Sequence, residues 1–183
     1  MALTSTMYNV SIDLSDVDRG VYEMLDLRVA MHPSESAGYM AARILGYCLE
    51  WTEGIEFTAG LSDGDEPAIV VRDLTGRITA WIEVGLPDAD RLHRASKLAD
   101  RVAVYTHRDV RNLLAQLEGK KIHRGHEIPI HSFGRGFIDD VASRFERRTA
   151  MSLSVTERHL YLTIGGASLT TVLEEHHLEA GTR

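Results

Sequence analysis

Cysteine occurs once in the 183 residues, at Cys48. No internal disulfide can form, which fits a reducing compartment, and the cytoplasm is the expected location. Cys48 falls at helical spacing with apolar neighbours and reads as a core residue. No apolar run approaches the roughly 20 residues that a membrane-crossing helix needs. The opening Met1-Ala2-Leu3-Thr4-Ser5-Thr6 has no basic segment followed by an apolar one, so it does not read as a signal peptide. Basic charge is in deficit, with 20 Lys and Arg against 27 Asp and Glu and a net charge of −7. That argues against broad, sequence-independent binding of nucleic acid, yet leaves room for a local basic groove on an acidic body. Repeats, low-complexity tracts and Pro/Gly-rich linkers are missing, so nothing marks a boundary and residues 1–183 are expected to form one domain. There is no Gly-Lys-Ser/Thr phosphate loop and no Gly-x-Ser-x-Gly elbow, which removes nucleotide-cofactor chemistry and serine hydrolysis from consideration.

What is present is a chain of ordinary globular composition, 44% hydrophobic and 26% charged. Tyr8, Val10, Ile12 and Leu14 alternate with polar residues and predict a half-buried strand. After the turn Asp16-Val17-Asp18-Arg19-Gly20, Leu25, Leu27 and Val29 predict a second strand pairing back on the first. His32-Pro33-Ser34-Glu35 reads as a helix start with Glu35 as an early acid, and the helix is expected to run to about Trp51. A Gly/Asp-rich loop, Gly60 to Gly64, precedes a hairpin with strands Ala68 to Arg72 and Ile78 to Gly85. Asp88 is the expected cap of a helix ending near Asp100. A strand covered on both faces at Val102 to Tyr105, a helix at Val110 to Leu117, a weak strand at Ile128 to His131 and a helix at Gly136 to Arg147 follow. The end of the chain reads as an antiparallel meander: Met151 to Val155, Leu160 to Ile164 and Leu169 to Leu173. The fold class is α/β or α+β, a mixed sheet flanked by helices with a C-terminal antiparallel β extension.

The stretch Asp65-Glu66-Pro67, a strand, a turn and Trp81-Ile82-Glu83-Val84-Gly85-Leu86-Pro87-Asp88 carries the chemistry. Glu83 lies within a strand of Ile, Trp and Val, where a carboxylate needs a cation, a hydrogen bond or a raised pKa. Carboxylates gathered by a hairpin are what a hard cation such as Mg²⁺ requires. On the next helix Arg91, Arg94 and Lys97 form a basic stripe that could meet phosphate. Each residue also has a plain structural explanation. Glu35 suits a helix dipole, Asp65 and Glu66 suit a turn, Glu83 suits an arginine partner, and the stripe suits a solvated helix face. His126-Glu127-Ile128-Pro129-Ile130-His131 misses the zinc-protease spacing, and Pro129 opposes the helix it needs. His123 and His126 are weak ligands by spacing alone, and Glu174-Glu175-His176-His177 reads as a polar, frayed tail.

An acid before a strand, a hairpin return, a Glu in the next strand and then a helix and a strand resembles the PD-(D/E)XK nuclease core. The sequence departs from that pattern at Gly85, where the family's lysine stands two residues after the second acid. The segments His32-Pro33-Ser34-Glu35, Asp65-Glu66-Pro67, Trp81 to Asp88 and Arg91, with the opening Asp16-Val17-Asp18-Arg19-Gly20, together resemble the YaeQ family over nearly the whole chain. The resemblance implies a bacterial protein with a restriction-endonuclease-like core. It implies a Mg²⁺- or Mn²⁺-dependent nuclease or phosphodiesterase acting on nucleic acid. Asp65 or Glu66, together with Glu83, would hold the metal, and Glu35 would be the supporting acid from the first helix. Arg91 and Arg94 would clamp phosphate, and Lys97 would replace the displaced base. The alternative it leaves is a catalytically silent module that binds nucleic acid or a protein partner, linked to transcription.

Overall fold

The computed structural model describes residues 4–59 and 64–180. Most of the expected loop Gly60 to Gly64 lies outside the described residues. The chain is an α+β protein whose strands form two mixed sheets. It divides into two compact units: Met1–Ile44 with Phe133–Glu174, and Leu45–Ser132 with Glu175–Arg183. Among the described residues no helix is long and apolar enough to cross a membrane.

The first unit is built on strands β1 (Thr6–Asp16), β2 (Val21–Met31), β8 (Arg148–Thr156), β9 (His159–Ile164) and β10 (Ala167–Val172), in the order β10-β9-β8-β1-β2. The β1–β2 hairpin and the C-terminal meander form as the alternation predicts. The periodicity does not reveal that β8 lies parallel to β1 and so joins the two ends of the chain in one sheet. Cross-strand partners share a face, so Leu25, Ile12, Met151 and Ile164 stand in one row. All four are buried, while the opposite face carries Ser11, Tyr22, Met24 and Tyr161 towards water.

The turn Asp16-Val17-Asp18-Arg19-Gly20 has a definite structural task. Asp18 accepts hydrogen bonds from the backbone N–H groups of Glu157 (2.6 Å) and Arg158 (2.9 Å). Both residues sit at positive φ in the β8–β9 turn, so this carboxylate holds a conformation that side chains resist.

Helix α4 covers only Phe137–Ala142, shorter than the expected 136–147. Tertiary pairing decides its end. The Asn9 N–H donates to the carbonyl of Arg147 (2.9 Å) and draws that segment into the sheet before a helix can continue.

Helix α1 (Ala37–Leu49) begins later than expected. Ser36 caps it, its hydroxyl accepting from the N–H of Tyr39 (3.0 Å). Glu35 therefore precedes the helix and does not serve its dipole. It is buried and lies 3.3 Å from the guanidinium of Arg43, itself 2% exposed, which also donates to the carbonyl of Ala30.

The second unit holds β3 (Ile55–Phe57), β4 (Ile69–Arg72), β5 (Ile78–Val84), β6 (Arg101–Thr106), β7 (Ile130–Ser132) and β11 (Glu174–His176), in the order β11-β7-β6-β5-β4-β3. The expected hairpin is β4–β5, and β5, β6 and β7 run parallel. Glu174–His176 forms an edge strand, not a frayed tail, because β7 offers it an open ladder. Helices α2 (Ala89–Leu98) and α3 (Val110–Leu117) cover one face through Trp81, Leu92, Ala95, Val104, Leu113 and Ile130. The C-terminal turns of α1 cover the other. There Gly46 lets the helix approach, since an added Cβ would lie 3.4 Å from Ile69 and 3.6 Å from the Tyr105 ring. With both faces covered, β5 and β6 are apolar on both sides, which is why Glu83 stands out.

Gly54 is the tightest backbone position in this unit. Its φ is +88°, and a Cβ there would lie 2.1 Å from the carbonyl oxygen of Arg72. Gly54→Ala is expected to cost about 3 kcal/mol of folding stability, measured by urea unfolding, because strain and a backbone clash act together.

Candidate functional site

Glu83 and Trp81 are two residues apart on β5, so both side chains point to the α2 face. Glu83 is 4% exposed. Its Oε1 accepts from the Trp81 indole N–H at 2.6 Å and from Nε of Arg91 at 2.6 Å. Arg91 is delivered by the first turn of α2. Asp88 caps that turn by accepting the Arg91 backbone N–H at 2.8 Å, which fixes where the side chain starts.

The rest of the guanidinium donates to the carbonyls of Gly64 and Glu66. One cation thus ties the segment before β4 to β5 and α2. Pro67 follows directly and is buried. Three oxygens converge on this point: the Glu83 carboxylate and two backbone carbonyls. That is a donor set a hard cation would accept. Here a guanidinium, planar, permanently charged and rich in N–H groups, occupies it.

The remaining expected residues are dispersed. Asp65 is exposed and pairs with Arg94 at 3.4 Å, a surface contact. The Glu66 carboxylate accepts from the Ala59 N–H at 3.4 Å, and only its backbone carbonyl reaches Arg91. Glu35, in the other unit, is paired with Arg43. Lys97 is exposed and lines a separate hollow of about 460 Å³ with Arg77, Asp100, His123 and Arg124. Among the described residues no group of three or more His, Cys, Asp or Glu side chains is placed to hold a metal ion.

Gly85 explains the departure from the nuclease pattern. Its φ is +96°, a left-handed conformation that a lysine adopts only with strain, and its N–H donates to the Tyr105 carbonyl at 2.9 Å. The chain leaves the sheet by a turn that favours glycine at that position.

Sequence reading singled out Glu35 without its partner Arg43, and missed the buried Glu50 site. Arg43 sits at a core-facing helical position and gave no signal beyond its charge in an apolar stripe. Glu50, buried beyond the end of α1, accepts from the Tyr105 hydroxyl at 2.7 Å and pairs with Arg101. The Tyr105 ring stacks on His131 with centroids 4.6 Å apart. Both sites repeat the logic of Glu83: a buried acid answered by an arginine.

Burial raises the Glu83 carboxyl above its ordinary 4.5, against the lowering pull of Trp81 and Arg91. A carboxyl raised in the folded state contributes stability that is complete below the unfolded value. That contribution is lost as pH rises through the folded value.

These features define a class: a mixed α+β protein with two sheets, whose hairpin carboxylate is closed by an arginine from the following helix. The chain belongs to the YaeQ family, since the family model described as "YaeQ protein" matches residues 1–173. It is 37% identical over 107 residues to "Uncharacterized protein YaeQ" of Escherichia coli (strain K12) and, at the same identity and length, to that of Salmonella typhi. These matches cover 58% of this chain, which thus spans about 59% of the length of those relatives. The crystal structure of YaeQ protein from Pseudomonas syringae superposes with a TM-score of 0.85 at 30% identity, covering 97% of each chain. That of Xanthomonas axonopodis pv. citri gives 0.87 at 24% identity, covering 96% of this chain and 99% of the other, and attests the shared fold.

Arg91→Ala leaves a buried carboxylate and two carbonyls without their cation. It is expected to cost about 3–5 kcal/mol in urea unfolding. Arg94→Ala, removing an exposed pair, is expected to cost roughly 0–1 kcal/mol. Glu83→Gln keeps an acceptor for both donors. It is expected to flatten the loss of stability that titration of Glu83 contributes as pH rises above about 4.5. The flattening is partial, because buried Asp16 is raised by desolvation with the same sign.

Proposed function

We propose that this protein is a non-hydrolytic nucleic-acid-binding module in which Arg91 is the built-in cation of the Glu83 site. The observation that carries the reading is the guanidinium seated among Glu83 Oε1 and the carbonyls of Gly64 and Glu66. A divalent ion would have to displace a group that is covalently part of α2. It would also take from the half-buried Arg91 its carboxylate and both carbonyl partners. The acid of this site therefore serves to fix the hairpin and the start of α2, and the outward side of α2 meets the ligand.

The last turn of α2 presents Lys97 to the hollow it shares with Arg77, His123 and Arg124. The two arginines are held in place. Arg77 pairs with Asp100 at 2.8 Å, and Arg124 donates to the carbonyls of Ser96 (2.7 Å) and Ala99 (3.1 Å). Oriented guanidinium groups beside an exposed ammonium suit a phosphate, which accepts from several donors at once. The net charge of −7 disfavours broad contact with a polyanion, so the reading assigns the phosphate contacts to this patch. The expected salt dependence is shallow, a log–log slope of about 2–3 for the same number of neutralised phosphates.

The rival reading is a Mg²⁺- or Mn²⁺-dependent phosphodiesterase of the PD-(D/E)XK type. It requires Arg91 to leave Glu83 and Asp65 to leave Arg94 so that the acids can gather on a metal. One set of measurements separates the two. Labelled single- and double-stranded DNA and RNA are titrated by fluorescence anisotropy at low salt, with and without divalent ions, and the strands are then examined for cleavage. Binding is expected without metal, unchanged by Glu83→Gln and weakened about fivefold by Lys97→Glu. Metal-dependent cleavage that Glu83→Gln abolishes overturns the binding reading in favour of the phosphodiesterase. Absence of any nucleic-acid affinity overturns it in favour of a protein partner.

A further inference from the structure

Strand β2 is 11 residues long and, among the described residues, pairs with a strand on one side only, β1; near its end the Ala30 carbonyl accepts from Arg43. Its pairing with β1 is continuous from Thr6↔Met31 to Asp16↔Val21, with no bulge to turn the free edge away. The strand contains no proline. Soluble proteins ordinarily blunt such an edge, since an open row of N–H and C=O groups recruits another strand. The outer face adds apolar surface at the same place, with Tyr22 62% and Met24 73% exposed.

From this edge we infer that β2 is a homodimer interface, pairing antiparallel with β2 of a second copy about a two-fold axis at Leu27. The charges select both the occupant and the register. In an antiparallel pair centred on Leu27, Asp26 faces Arg28 of the second copy and Arg28 faces its Asp26, so the symmetry makes two opposite-charge pairs. Moving the centre by one residue, to Asp26, sets like charges against each other. On the same outer face Met24 meets Ala30. On the inner face Leu25 meets Val29, both buried within one copy, and the half-buried Leu27 meets its own counterpart. The apolar row that runs from Ile164 through Met151 and Ile12 to Leu25 then continues into the second copy. Ten strands would form one sheet, and the edge would disappear.

The test is sedimentation of the full chain from about 1 µM to about 1 mM, with far-UV circular dichroism to confirm folding. A monomer–dimer equilibrium is expected. Asp26→Arg and Arg28→Asp should each weaken it roughly tenfold, because each converts both dyad-related pairs to repulsion. The double exchange Asp26→Arg with Arg28→Asp should restore it, which loss of local structure would not do. Leu27→Cys gives an independent readout. The native Cys48 is buried, so mild oxidation should cross-link only dimers whose position 27 faces itself. A native chain that stays monomeric throughout overturns the proposal. So does a dimer indifferent to both charge reversals, or one in which Leu27→Cys fails to cross-link.

Discussion

The hydrogen-bonded ion pair between Glu83 and Arg91 is the constraint on which the second unit depends. It joins three pieces that are separate in sequence: the segment ahead of β4, strand β5 and the first turn of α2. Each brings something the others lack. The strand supplies a buried anion, the helix supplies a charge that cannot be neutralised, and the segment supplies two carbonyls that would otherwise need partners. Trp81 completes the arrangement by spending its indole N–H on the same oxygen. In a sheet covered on both faces, a carboxylate without such a partner would be driven towards its neutral form or towards water.

The same solution recurs. Glu35 is answered by Arg43 and Glu50 by Arg101, and in each case the acid is buried and the cation is a guanidinium. Arginine suits this use because its fork of donors can satisfy a carboxylate and a backbone carbonyl together, as Arg43 does with Glu35 and Ala30. A lysine would offer a compact, strongly hydrated charge and lose more on burial. The outcome is a chain in which Glu35, Glu50 and Glu83 are each answered by a guanidinium, while Lys97 stands exposed near the end of α2.

The first unit shows a different economy. Its sheet is wet on one side, and Asp18 holds a strained turn on a distant hairpin through two backbone hydrogen bonds. That explains why an acid-rich turn near the start of the chain matters to a hairpin near its end. One edge of the sheet is β2, where opposite charges two residues apart permit one self-pairing register and oppose its neighbour.

Much of this was legible in the residues. Alternation located β1, β2, β5, β8 and β9. The strand at residues 102–105 was recognised as covered on both faces because it did not alternate. Asp88 announced the start of α2, and the helix at 110–117 matched residue for residue. These features are local, set by side-chain periodicity and by capping groups within a turn of their targets. Membership of the YaeQ family was also visible, because its short segments stand in order along the chain. The parallel pairing of β8 with β1, the early end of α4, the edge strand at Glu174–His176 and the burial of Glu35 against Arg43 were not legible. Each depends on a partner brought from far along the chain. The acids of the hairpin illustrate the division best. Their spacing, and the glycine two residues beyond Glu83, were fixed by the sequence alone. Which cation would answer Glu83 was decided only when α2 folded back and placed Arg91 against it, since a carboxylate's partner is chosen by distance in space.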